Sequence, residues 1–206
     1  MVVVSRHQAL SMVRLLSDTT DPIRCTYLGA TPTLVFGGTR NLCDVLDDLD
    51  VRPRTLSDTS TVHRGMFRRT LRLWATDEVQ DFVDAHPSVR LLGWSLGGGA
   101  AVHMAALLHL SGAARVSDVH VFGAPKCGDA LFAAWYAQSG LGRRTVRYET
   151  PHDPVTTLPP GDRFVHVGRR VVVACDRPTC WAHHDLHAYG EGVRTSPLSR
   201  GEEDRM

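Results

Sequence analysis

The sequence predicts an α/β protein with a mostly parallel central sheet and helices on both faces. Three observations carry this: short apolar runs bounded by Gly, Pro or Ser, longer stretches of helical spacing, and alternation of the two along the chain. The apolar runs are 33–36, 89–94, 119–122 and 145–148, continuous in character as strands buried on both faces are. Helical spacing covers 5–16, 65–85, 98–110 and 130–138; in the second, Phe67, Leu71, Trp74 and Phe82 recur on one side. Residues 164–167 and 171–174, either side of Gly168-Arg169-Arg170, read as a closing hairpin.

A length of 206 residues suits one core, so 1–206 is expected to form a single domain with a frayed tail from 194 to 206. Lys and Arg number 23 against 22 Asp and Glu, a net charge of +1, which leaves no field for a nucleic acid partner. The opening run Met1-Val2-Val3-Val4 is too short for a signal-peptide core, and no stretch approaches the roughly 18 apolar residues of a membrane span. A soluble, intracellular protein without a transmembrane segment is the expectation. Five cysteines, an odd number, fit free thiols in a reducing compartment, with one local Cys175–Cys180 bridge as the alternative.

The chemistry centres on Gly93-Trp94-Ser95-Leu96-Gly97. A GxSxG string arises by accident in about 7% of chains of this length, so context decides. Here it follows a predicted buried strand and opens a helix of small residues, Gly97-Gly98-Gly99-Ala100-Ala101. A strand-turn-helix elbow needs glycine at both flanks, Gly93 and Gly97, so that the crowded turn can lift Ser95 clear, and the helix start aims backbone N–H groups at the reaction centre. Serine is a weak nucleophile unaided and requires a base and an orienting carboxylate, in this arrangement downstream and in the order acid, then histidine. Asp153 stands in the loop after the strand ending at Tyr148, at the sheet edge where ligand sites form. For the base, His183, His184 and His187 are all candidates. A rival reading takes Cys175, Cys180, His183 and His184 as zinc ligands; adjacent histidines seldom both reach one tetrahedral ion, so no metal and no cofactor is expected. Leu42, Val45, Leu46 and Leu49 fall at i, i+3, i+4 and i+7 with Asn41, Asp44, Asp47, Asp48 and Asp50 on the other faces, which predicts a short amphipathic helix over 40–50.

From about Thr33 to Tyr189 the chain resembles the class 3 lipases. Val35-Phe36-Gly37-Gly38-Thr39 is similar to the family's oxyanion strand, usually Phe-Arg-Gly-Thr or Phe-Arg-Gly-Ser, and Val62-His63-Arg64-Gly65-Met66-Phe67 to its His-x-Gly-Phe segment. Ser95-Leu96-Gly97-Gly98, Phe122-Gly123-Ala124-Pro125-Lys126-Cys127-Gly128, Asp153-Pro154-Val155 and His184-Asp185-Leu186-His187-Ala188-Tyr189 follow in family order. The resemblance implies the α/β-hydrolase fold and a Ser95, Asp153, His184 triad, with His187 as the second choice of base. It also implies oxyanion donors at the Thr39 and Leu96 backbone, and a lid over 40–50 exposing Leu42, Val45, Leu46 and Leu49 to a lipid surface; an ordinary surface helix is the plainer alternative for that segment. The activity implied is cleavage of carboxylic esters of lipids, as a triacylglycerol or monoacylglycerol lipase or an esterase. A phospholipase of the same fold and a lipid-binding pseudoenzyme are the alternatives. Three positions depart from the family pattern: Gly37 for Arg, Trp94 for His, and Val45 for Trp.

Overall fold

The computed structural model describes residues 4–38, 50–56 and 60–196. Thr39 and the candidate lid up to residue 49, Leu42, Val45, Leu46 and Leu49 included, lie outside the described residues, as does the tail from 197.

Six strands form one sheet: β1 (Ile23–Leu28), β2 (Thr31–Phe36), then past a small separate hairpin of β3 (Pro53–Thr55) and β4 (Thr61–His63), β5 (Ser88–Trp94), β6 (Arg115–Phe122), β7 (Thr145–Glu149) and β8 (Arg169–Val172). The spatial order is β1-β2-β5-β6-β7-β8, with β1 antiparallel to β2 and every other neighbour parallel. β5 lies within the sheet with Leu91, Leu92 and Val89 fully buried, which is why its sequence is apolar without alternation. On one face α1 (Arg6–Ser17) buries Ala9, Met12, Val13 and Leu16 in a cluster with Tyr148 of β7 and with Tyr189 and Val193 of the C-terminal helix α6 (Leu186–Thr195). On the other lie α2 (Arg64–Trp74), α3 (Asp77–Ala85), α4 (Leu96–Ser111) and α5 (Ala130–Gln138). α4 is buried on nearly every side, so its first two turns are built from Gly and Ala, which let sheet and neighbouring helix come close.

Four differences from the expected elements have local causes. The stretch 65–85 is two helices, because Thr76 is extended (φ −84°, ψ 139°) and Asp77 and Glu78 follow it, acidic residues that favour a new helix start. The hairpin expected at 164–174 does not form: Arg169–Val172 adds in parallel to the open edge of β7, and Val165 instead donates its N–H to Gly128 O at 2.7 Å. β1 was hidden by its mixed composition, and it returns on β2 through a two-residue turn in which Gly29 takes φ 64°. The chain at 194–196, expected to fray, is held: Arg194 and Thr195 complete α6, and Ser196 Oγ accepts the Ala174 N–H at 2.6 Å. Cys175 and Cys180 are unbridged, as are Cys25 and Cys127. Among the described residues no helix is long and apolar enough to cross a membrane.

Two histidines are wholly buried in the α2–α4 layer. His63 caps α2 by accepting the Met66 N–H at Nδ1 (3.4 Å), and His103 Nε2 donates to Cys127 O at 2.9 Å. Burial lowers both to about 4, chiefly by penalising the charged ring. Between pH 6.5 and about 4 the unfolded chain therefore binds protons that the native protein does not. Stability should fall as pH drops through that window. Urea midpoints at pH 7 and pH 4.5 test this; equal midpoints would contradict a neutral buried pair.

Candidate active site

The elbow begins where β5 ends. Ser95 sits at φ 57°, ψ −131°, and among the described residues no other non-glycine has positive φ. L-residues avoid this region because Cβ crowds the adjoining carbonyl, so its occupation marks imposed strain of about 1–3 kcal/mol. Two glycines make room for it. A Cβ on Gly93 would run into the backbone of Gly97 and Gly98, and one on Gly97 into the carbonyl oxygens of Phe36 and Gly37. Ser95 N–H donates to Phe122 O at 2.9 Å, fastening the turn to β6. Leu96 is the first residue of α4, so its N–H has no acceptor within the helix.

Ser95, Asp153 and His184, far apart in the chain, meet here. Ser95 Oγ lies 2.9 Å from His184 Nε2, and His184 Nδ1 lies 2.9 and 2.8 Å from the two carboxylate oxygens of Asp153. A carboxylate only accepts, so Nδ1 carries the proton and Nε2 offers its lone pair to the serine hydroxyl. Asp153 is positioned twice more: its Oδ1 accepts the Val155 N–H at 2.9 Å, opening a short 3-10 turn at Pro154–Thr157, and its Oδ2 accepts the Tyr189 hydroxyl at 2.5 Å. All three residues are buried, Ser95 completely. Gly123 faces the Asp153–His184 pair, where a Cβ would lie 2.6 Å from Asp153 Oδ2 and 3.0 Å from His184 Nδ1.

His187, the second choice of base, lies exposed on α6, where its backbone N–H caps the helix on Asp185 Oδ1 at 3.0 Å. His183 is buried and turned away, with Nε2 at 3.1 Å from Arg177 O. Both nitrogens of His184 are engaged, which leaves it no lone pair for the rival zinc site, and among the described residues no cluster of three or more His, Cys, Asp or Glu is arranged to hold a metal. Two supporting residues escaped the sequence reading. Trp94 stacks its ring on His184 (centroids 5.1 Å apart, 23° between planes) and donates Nε1–H to His184 O at 3.2 Å; its departure from the family's usual histidine was the available signal. Tyr189 is fully buried, and burial together with the charge of Asp153 raises its hydroxyl well above the ordinary tyrosine value, so it stays a donor. Its spacing from His184 was visible but carried no role.

A family model, Lipase (class 3), matches residues 33–163. Among solved structures the chain is similar to lipase II from Rhizopus niveus, with 25% identity and a TM-score of 0.60, covering 69% of this chain and 57% of that one. It is similar to Rhizomucor miehei triacylglyceride lipase, with 19% identity, a TM-score of 0.61 and coverage of 84% and 82%. A lipase from Rhizopus microsporus var. chinensis gives 19% identity, a TM-score of 0.59 and coverage of 84% and 73%. No curated protein sequence matches. The chain thus spans little more than half the length of the Rhizopus niveus enzyme. With the family pattern running through more than half of its residues, the chain belongs to the class 3 lipases and has their α/β-hydrolase fold.

Proposed function

We propose that this protein hydrolyses carboxylic esters of lipids through an acyl-Ser95 intermediate. The observation that carries the proposal is the unbroken relay from Ser95 Oγ through the His184 imidazole to the Asp153 carboxylate, built on a strained elbow. His184 takes the hydroxyl proton at Nε2 as Ser95 Oγ adds to the ester carbonyl, and the imidazolium so formed is steadied by Asp153. Negative charge gathers on the carbonyl oxygen, where the Leu96 N–H at the head of α4 would receive it together with the Thr39 N–H. Each such donor is worth on the order of 3 kcal/mol of barrier. His184 then passes its proton to the departing alcohol, and water repeats the cycle to free the acid.

Ser95 is fully buried, so an ester reaches its oxygen only after some covering element moves. We assign that role to residues 40–50, on the amphipathic spacing of Leu42, Val45, Leu46 and Leu49, which as a lid would meet a lipid surface on opening. On this reading a neutral acylglycerol or simple ester is the substrate; phospholipid cleavage, or lipid binding without turnover, are outcomes that the assays below would expose.

Ser95→Ala should lower kcat by at least about a thousandfold and abolish labelling by a fluorophosphonate, while the protein stays folded; undiminished turnover would refute the triad assignment. Tyr189→Phe removes one hydrogen bond from Asp153, and kcat should fall about fivefold with KM within twofold, in steady-state assays on a soluble ester. Across p-nitrophenyl esters from acetate to palmitate, a lidded lipase should show a rate that climbs as the long-chain ester passes its solubility limit. A flat profile there would remove the lid and leave a plain esterase.

A further inference from the structure

The corner where β2 meets the elbow contains two successive glycines, Gly37 and Gly38, the loosest kind of backbone. Their conformation has to be imposed from outside, since neither can carry a side chain: a Cβ on Gly37 would run into the Asp21 carbonyl oxygen, and one on Gly38 into the Trp94 ring. Gly37 N–H donates to Pro22 O at 3.2 Å. Its carbonyl oxygen is wedged against the elbow, 2.7 Å from where a Cβ on Gly97 would stand. The remaining side of that carbonyl is met by a side chain from α2: Arg69 NH2 donates to Gly37 O at 3.2 Å.

Arg69 differs from the other arginines of its helix. Met66, Phe67, Thr70 and Leu73 face the core, Arg68 and Arg72 are exposed, and Arg64 pairs with Asp50. Arg69 alone turns along the flank towards β2, half-buried, with its Nε–H buried and unpartnered and no carboxylate beside it among the described residues. Burial without a counter-charge disfavours a guanidinium, and its pKa is lowered accordingly. An aliphatic side chain would pack here at less cost. What arginine adds is a long reach and one charge-assisted hydrogen bond to one carbonyl.

We propose that Arg69 is a positioning residue for oxyanion stabilisation, locking the Gly37–Gly38 peptide plane where it packs against the elbow of Ser95. The inference rests on the esterase reading above and deepens it. It also accounts for Gly37 standing where the family pattern has arginine: the Asp21 backbone occupies that side-chain space, and an arginine from α2 reaches the backbone of the same residue. A peptide plane free to swing would leave substrate binding intact and misdirect a donor needed only as charge develops, so the loss belongs in kcat rather than KM.

The test compares Arg69→Met, Arg69→Gln, Arg69→Lys and a control on the same helix, Arg72→Met, in p-nitrophenyl butyrate hydrolysis, with near-UV circular dichroism confirming the fold. Met and Gln should lower kcat about ten- to hundredfold with KM within about twofold, Lys should recover part of the loss, and Arg72→Met should match wild type. A folded Met or Gln variant with wild-type kcat, a loss confined to KM, or a Lys variant no better than Met would overturn the proposal; if Met fails to fold, Gln decides. Should Ser95→Ala be as active as wild type, the esterase reading itself fails and takes this inference with it, a result distinct from Ser95-dependent turnover that ignores Arg69.

Discussion

The backbone of Ser95 is held at φ 57° by close contact between three segments, the end of β2, the end of β5 and the first turn of α4, and the rest of the site is arranged around that contact. Left to itself the turn would relax by the order of 1–3 kcal/mol. It is prevented from relaxing because Gly93 and Gly97 bring backbone against backbone, because the Ser95 N–H is tied to Phe122, and because the whole first half of α4 is buried. Sheet burial stabilises the strained serine; the strain, in turn, places its hydroxyl at the carboxyl edge of the strands where Asp153 and His184 arrive.

Asp153 and His184 are coupled by more than their own hydrogen bonds. Thr150, at the end of β7, donates its hydroxyl to His183 O at 2.9 Å and its N–H to the Tyr189 hydroxyl at 3.4 Å, so the loop carrying Asp153 and the turn carrying His184 are stitched together on both sides of the pair. Trp94, the residue before Ser95, covers the His184 imidazole and holds its backbone. Burial of this network lowers the local dielectric and strengthens each of its polar contacts. It also explains Gly123, since any side chain there would occupy the space of the carboxylate and the ring.

Much of this was legible in the sequence because strong local patterns and the site coincide. The strand before Ser95 is apolar, the helix after it is small-residue, and the glycines flank the serine, so three independent signals point to one turn. Asp153 was legible from its place after a strand. The histidine partner of Ser95 was legible only as a choice among His183, His184 and His187, since three histidines in five residues carry no marker of orientation; the family resemblance selected His184, which the geometry brings to Ser95. Contacts of long sequence separation were not legible at all. Tyr189 with Asp153, Trp94 with His184, and Arg69 with Gly37 depend on tertiary placement, and the edge strands β1 and β8 depend on hydrogen-bonding partners that no local pattern announces.

The helix carrying Tyr189 is itself seated on α1: Val13 lies against Gly190, Arg6 NH2 donates to Ser196 O at 3.0 Å, and Ala9, Met12 and Leu16 close the seam. α1, which contributes no side chain to the site, is thus the buttress for the Tyr189 end of the hydrogen-bonded chain that runs through Asp153 and His184 to Ser95. Anyone trimming the first seventeen residues to obtain a minimal catalytic unit would be removing a foundation, and the damage would surface at the carboxylate rather than at the cut.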